Sequence, residues 1–315
     1  MPNQIEKLLT EFLEYLEIEK NRSQLTVRNY DFYLKRFFNF AKITSSSQII
    51  LENVRQFRLY LNRLKVGHQS EKTLSKSTQN YHIIALRSFL KYLAKRDIKA
   101  LAPEKLELAK VGERTVEFLE GSDLERILEA PFKQKTPEII KLRDKAILEL
   151  LFSTGLRVSE LANLKIDSIN LKKDEFTIRG KGDRPRIVFL SNQAKHWLKQ
   201  YLNKRHDMDP ALFVSHDRAG KKRGSSGDQK SNNLTPRSIQ RLVQKYAWTA
   251  GLTKKVTPHT LRHSYATDLL MNGADIRSVQ SMLGHSSITT TQIYTHITNQ
   301  QLRDVHKAFH GKKRG

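Results

Sequence analysis

Apolar residues recur at helical spacing through most of this chain, and that period restricts the fold more than any single motif. Ile5, Leu8, Leu9, Phe12, Leu13 and Leu16 make one face from about Gln4 to Lys20. Tyr30, Tyr33, Leu34, Phe37 and Phe38 make a second between Thr26 and Ala41, with Ser23 and Thr26 as candidate caps. Val54, Phe57, Leu61 and Leu64 give a third over Leu51–Leu64. A fourth helix is predicted after KSTQN, with Tyr81, Ile84, Ala85, Leu86, Phe89, Leu90 and Leu93 facing a core. Arg28, Lys35, Arg36, Arg55, Arg58, Arg63, Arg87, Lys91 and Lys95 fall between these stripes. The economical reading of residues 1–100 is therefore a compact helical bundle with basic outer faces.

The period fails from Lys99 to about Val116, where Pro103, Gly112 and scattered charges break it, so residues 101–116 read as a linker. Residues 117–315 then form a second domain. EGSDLERILEA is predicted as a helix entered through Ser122 or Asp123, and Pro137–Ser153 as a longer apolar one. The single clear switch to period two lies in DEFTIRGKGDRPRIVFL. It predicts strands over Glu175–Arg179 and Arg186–Leu190 joined by a Gly/Asp-rich turn. Ala211–Ser215 is a further candidate strand. Residues 216–235 are polar and Gly/Ser-rich, with too little apolar content to pack, and are expected to be a flexible excursion. Helices resume over Pro236–Ala250, Thr260–Asn272, Ile276–Leu283 and Asn299–Phe309. The fold class is thus mainly α, a helical bundle followed by an α+β domain with one small β-sheet.

Charge narrows the partner. The 315 residues carry a net charge of +24, of which residues 1–110 contribute +9 and the rest +15. Both domains are basic, as expected of a protein that grips a polyanion with two folded surfaces. A basic ribosome-associated protein fits the charge equally well. No apolar run approaches the roughly 20 residues of a membrane span, and the N-terminus mixes charge into every turn, unlike a secretory signal. The chain has no cysteine, which excludes disulfides, thiolate nucleophiles and zinc–cysteine sites and fits a cytoplasmic location.

Four islands in the second domain carry chemistry: TGLRVSEL around Arg157, GKGDR around Lys181, HTLRH from His259 to His263, and LGH to Tyr294. Each has an ordinary explanation alone. Arg157 could pair with Glu160 at the surface, Lys181 could be an exposed turn lysine, and Tyr294 could pack in a helix. HTLRH lacks the glutamate of the HExxH zinc pattern, and no acidic ligand cluster accompanies it. Together the islands hold two guanidiniums, Arg157 and Arg262, one imidazole, His259, the Lys181 ammonium and the Tyr294 phenol. His259 and Arg262 lie three apart, on one helix face. That inventory suits phosphoryl transfer on a diester without metal. Two Arg forks bind nonbridging oxygens and stabilise the charge that builds as phosphorus becomes five-coordinate. A phenol, unreactive at a free pKa near ~10, becomes a nucleophile beside cations and a base. Lysine can protonate the leaving oxygen, and histidine can take or guide the phenol proton. Metal-dependent DNA cleavage would need carboxylates that are sparse around these islands.

In these residues, Thr154–Leu161, Lys181, His259–His263, Leu283–His285 and Tyr294, the chain resembles the tyrosine recombinase, or phage integrase, family. The likeness to its Xer-type members extends over nearly the whole chain. All six positions are filled in order, with 23 residues from Arg262 to His285 and nine from His285 to Tyr294. The resemblance implies that Arg157 and Arg262 hold the scissile phosphate and that His285 adds a hydrogen bond. It makes Tyr294 the nucleophile, leaving a 3′-phosphotyrosyl link, Lys181 the general acid for the 5′-hydroxyl, and His259 a proton acceptor or orienting group. Glu160 would buttress Arg157, or simply pair with it at the surface. No metal or cofactor is implied, and no ATP is needed because the diester's energy is kept in the phosphotyrosine.

The same resemblance implies an N-terminal core-DNA-binding domain and a C-terminal catalytic domain clamping double-stranded DNA at a specific recombination site. Four protomers, identical or of two kinds, would assemble on two DNA sites and exchange strands through a Holliday junction. A DNA translocase or accessory protein is a further expected partner. Asn299–Phe309 is expected to dock either on a neighbour or on its own chain. Resolution of chromosome or plasmid dimers is the leading expectation. The polar excursion keeps a mobile-element integrase open, and a type IB-like topoisomerase or an idle DNA-binding protein are the remaining rivals.

Overall fold

The computed structural model describes residues 3–65, 73–112, 117–180, 185–216 and 232–284. The chain divides into two compact units, Met1–Glu113 and Arg114–Gly315.

The first unit is built from α1 (Gln4–Ile18), α2 (Gln24–Ala41), α3 (Leu51–Arg63) and α4 (Lys76–Ala94). Short polar side chains set the helix starts. Asn3 accepts the Glu6 N–H while Glu6 reaches back to the Asn3 backbone, and Ser23 and Ser75 cap α2 and α4 by accepting the N–H groups of Thr26 and Thr78. The fourth helix therefore begins inside KSTQN rather than after it. Helix α4 packs on all three of its partners. Phe12 meets Phe89 and Tyr92 edge-on, with ring centroids 5.3 and 5.2 Å apart, the geometry aromatic quadrupoles favour. Tyr81, expected in the core, is 51% exposed. Its neighbours His82 and Ile83 and the more distant Tyr92 are buried instead, because a helix with neighbours on several sides buries an arc wider than one stripe. His82 tolerates burial because Nδ1–H donates to the Thr78 carbonyl at 2.9 Å and Nε2 accepts from Arg36 at 3.3 Å. Past α4 the chain stays on this core: Leu106 is buried in it and Leu101 packs against it, within the stretch read as a linker.

The second unit contains α5 (Gly121–Glu129), α6 (Glu138–Thr154), α7 (Val158–Ala162), α8 (Asn192–Lys204), α9 (Pro236–Thr249), α10 (Pro258–Met271) and α11 (Ile276–Leu283). Among the described residues its one sheet is the antiparallel pair β1 (Glu175–Arg179) and β2 (Pro185–Phe189), in register Glu175 to Phe189. Helix α5 starts at Gly121, ahead of both expected caps. Ala211–Ser215 forms no strand, since Ala211 and Val214 make only single bridges, to Lys165 and Asn233. Helix α6 is the axis of the main core, packed against α8 and α10. It is buried on nearly every side from Leu142 to Leu151, charged residues included. Those charges are satisfied internally: Arg143 bonds Asp144 and the Val214 carbonyl, Asp144 accepts the Tyr246 hydroxyl at 2.7 Å, and Lys145 pairs with Glu149 at 2.8 Å. Thr235 and Thr257 cap α9 and α10, each followed by proline at the first helical position. The helix expected over Asn299–Phe309 and most of the polar excursion lie outside the described residues.

Candidate functional site

Three chain segments of the second unit meet at one place. Helix α6 ends in Gly155, whose backbone is left-handed at φ 58°. Thr154 Oγ1 accepts the Leu156 N–H at 3.3 Å, closing the turn that delivers Arg157. Arg157 is the N-cap of α7. Helix α10 brings His259 and Arg262 on its first two turns, and α11 ends at Gly284, again left-handed at φ 63°. Glycine is required at both ends. A Cβ on Gly155 would lie 2.5 Å from the Tyr265 ring, and one on Gly284 would lie 2.7 Å from Arg186 Cδ.

The two arginines converge on the backbone of Leu283–Gly284, directly before His285. Arg262 is buried at 4% exposure, its Nη1 donating to the Gly155 carbonyl and its Nη2 to the Leu283 carbonyl. Arg157 Nη2 donates to the Gly284 carbonyl at 3.1 Å. Its Nη1 donates to Glu160 Oε1 at 2.8 Å, and its backbone N–H to Glu160 Oε2 at 2.8 Å. Glu160 is no surface partner, since its side chain is 7% exposed against 28% for Arg157. The same carboxylate accepts from Arg186 Nη2 at 2.9 Å.

Arg186 belongs to this cluster and was not among the expected site residues. The pattern of β2 held the signal. Ile187 and Phe189 are exposed, so alternation turns Arg186 inward with the buried Val188. A lone arginine on the inner face of a short strand calls for a buried acceptor, and here that is Glu160.

His259 is exposed, yet the protein around it lowers its pKa below the ordinary histidine range, and the charges of Arg262 and Arg157 lower it further. His263, half-buried, is depressed to about 4 by burial, then by His259 and Arg262. The lowered pKa favours the neutral imidazole, whose unprotonated ring nitrogen is a hydrogen-bond acceptor. Among the described residues, no cluster of three or more His, Asp or Glu side chains could hold a metal ion. No described helix is long and apolar enough to cross a membrane. Of the six expected site residues, the structure brings together Arg157, His259 and Arg262. Lys181, His285 and Tyr294 lie outside the described residues, although the strands flanking Lys181 and the Gly284 carbonyl preceding His285 are placed.

Comparison with known proteins agrees along the whole length. Residues 117–301 match the phage integrase family, and residues 9–97 match the phage integrase N-terminal SAM-like domain. The chain is 36% identical over 303 residues to tyrosine recombinase XerC of Thermodesulfovibrio yellowstonii, covering 96% of this chain and 95% of that protein. It is 34% identical over 318 residues to tyrosine recombinase XerD of Oceanobacillus iheyensis, covering 97% and 99%. Among solved structures it is similar to XerA recombinase, at 31% identity and TM-score 0.51, covering 97% of this chain and 99% of that one. It is also similar to XerH recombinase bound to its palindromic difH substrate, at 25% identity and TM-score 0.68, covering 94% and 82%.

Proposed function

The chain belongs to the phage integrase family of tyrosine recombinases, as a Xer-type site-specific recombinase that breaks and rejoins DNA, and from that premise we propose how its own residues divide the work. Arg157 and Arg262 hold the nonbridging oxygens of the scissile phosphate and stabilise the charge that develops on them. Tyr294 attacks phosphorus, forming the 3′-phosphotyrosyl bond as the bond to the 5′-oxygen breaks, and Lys181 gives that oxygen its proton. His259 takes the phenol proton, and His285 donates to a phosphate oxygen. Reversal by a 5′-hydroxyl of a partner duplex completes the exchange without ATP.

The observation that carries this reading is the convergence of Arg157 and Arg262 on the Gly284 and Leu283 carbonyls. Guanidiniums from two distant segments are thereby fixed on the two carbonyls that precede His285 in the chain.

The division of labour extends to the domains. Residues 1–100 form the core-DNA-binding part and residues 117–315 the catalytic part, both basic because both face the phosphate backbone. Four protomers act on two recombination sites through a Holliday junction. The biological task is resolution of chromosome or plasmid dimers in the cytoplasm, favoured by near-full-length similarity to XerC and XerD proteins. A translocase or accessory protein would activate the assembly.

Covalent trapping tests the proposal. The protein is incubated with genomic fragments carrying suicide nicks, and the adducts are recovered and sequenced. Wild type should trap one recurrent site, and Tyr294→Phe should bind that site without trapping it. Adducts that persist in Tyr294→Phe refute the nucleophile. Lys181→Ala should regain cleavage on a substrate with a better 5′ leaving group, and failure of that rescue refutes the acid.

A further inference from the structure

We infer that Arg186 is a positioning residue for phosphate activation, orienting Arg157 through their shared carboxylate, Glu160; the inference rests on the reading that Arg157 holds the scissile phosphate. Arg186 Nη2 donates to Glu160 Oε2 at 2.9 Å, the oxygen that also accepts the Arg157 backbone N–H. The other oxygen accepts Arg157 Nη1. The carboxylate plane is therefore set from two sides, and its tilt decides where the Arg157 fork points. Arg186 Nη1 donates to the Met282 carbonyl at 3.2 Å, and its Cδ lies 2.7 Å from where a Cβ on Gly284 would stand. One guanidinium thus joins β2, α7 and the end of α11, and Arg157 is bonded to the second and third of these.

Exposure separates the two arginines' tasks. The Arg186 side chain is 8% exposed, with its two terminal nitrogens on Glu160 and the Met282 carbonyl, and that of Arg157 is 28% exposed, so of this linked pair Arg157 is the more open to a ligand. A buried ion pair gains little stability over apolar packing of the same volume. Its use here is geometric: a planar fork fixes direction, which a lysine ammonium on a flexible stem does not.

The test compares cleavage of the trapped site carrying an ordinary scissile phosphate with the same duplex carrying a methylphosphonate there. The methylphosphonate lacks one anionic oxygen and so demands less cationic stabilisation. Arg157→Ala serves as the reference and should lose cleavage of the phosphate while retaining much of it on the methylphosphonate. Arg186→Ala should show the same selectivity, with a loss on the order of 10²-fold on phosphate, the scale of a small misplacement of a reacting group. Arg186→Lys should show it in weaker form, and carries the test if the alanine variant does not fold. Absence of methylphosphonate rescue in Arg157→Ala would refute the phosphate role of Arg157 itself. Rescue in Arg157→Ala with equal losses on both substrates in the Arg186 variants, or with no loss, would overturn the inference.

Discussion

Replacing Gly155 by alanine tests whether the turn between α6 and α7 has the close packing that places both arginines. The new Cβ would stand 2.5 Å from Tyr265 Cδ1, 3.0 Å from Cε1 and 3.1 Å from Leu283 Cδ2. Two costs add. A left-handed backbone costs a residue with a Cβ about 1–2 kcal/mol, and overpacking a filled core costs about 1–3 kcal/mol. The expected destabilisation is therefore about 2–5 kcal/mol. The upper half is favoured because Tyr265 is held in a core of Ala266, Leu270, Val279 and Leu283 and has little room to retreat. Urea unfolding should show a lower midpoint at unchanged slope, the signature of altered stability rather than altered denatured state. Tyr265→Leu removes the ring and leaves only the looser approach to Leu283, so Gly155→Ala in that background should cost little more than the backbone share, with a coupling of about 1–3 kcal/mol. The Gly155 carbonyl also accepts from Arg262, so DNA trapping should fall even under conditions where the variant stays folded. A cost below about 1 kcal/mol, or costs that simply add in the double variant, would refute the reasoning.

Glu160→Gln keeps the shape but offers one acceptor oxygen to three donors, so an amide N–H must oppose an arginine or the Arg157 backbone N–H. Breaking a buried charge pair in this way should cost about 3–5 kcal/mol in denaturant melts, and cleavage should fall further than DNA binding; equal losses in both would count against a positioning role. Acidification should destabilise the second unit. His263 has a folded pKa of about 4 against an ordinary 6.5, so its contribution is complete above pH 6.5 and is lost as pH falls toward 4, because the unfolded chain binds the proton first. The contribution is at most about 3 kcal/mol. His263→Gln should flatten stability over that range, and a variant as pH-dependent as wild type would assign the effect elsewhere.

Much of the fold was legible because its signals are local. Ser23 acts within one turn, and the helical stripes of α1 and α2 match their buried residues with little change. Tyr81 was misread because exposure on α4 depends on where three other helices lie, which periodicity does not contain. Ala211–Ser215 has strand composition but finds only single bridging partners, and strand identity is a property of pairs. Of the site, Arg157, His259 and Arg262 could be named from residue types and spacing. The burial of Glu160 could not, since an acid three residues from an arginine looks the same at a surface. Arg186 was hidden for a related reason: it follows a lysine-bearing turn in a basic chain, and only the inward face of β2 sets it apart.

The way these charges are held bears on how the proposed site would stay open to a phosphate. Arg157 and Arg186 share one carboxylate, while Arg262 is anchored on the carbonyls of Gly155 and Leu283. Carbonyl oxygens fix a guanidinium's plane without cancelling its charge, and a guanidinium has five N–H donors with which to meet both scaffold and ligand. If each arginine were instead paired with its own carboxylate, an incoming phosphate would have to displace an anion, and the reorganisation would be charged against the transition state. One shared carboxylate would avoid that: it bonds Arg157 and Arg186 together and leaves net positive charge where the proposed phosphate would sit. The arrangement also explains the conformation of Gly284. Its left-handed backbone ends α11 so that successive carbonyls, at Met282, Leu283 and Gly284, meet Arg186, Arg262 and Arg157 in turn. A side chain there would strike Arg186, so the glycine of LGH serves the arginines as much as the helix it terminates.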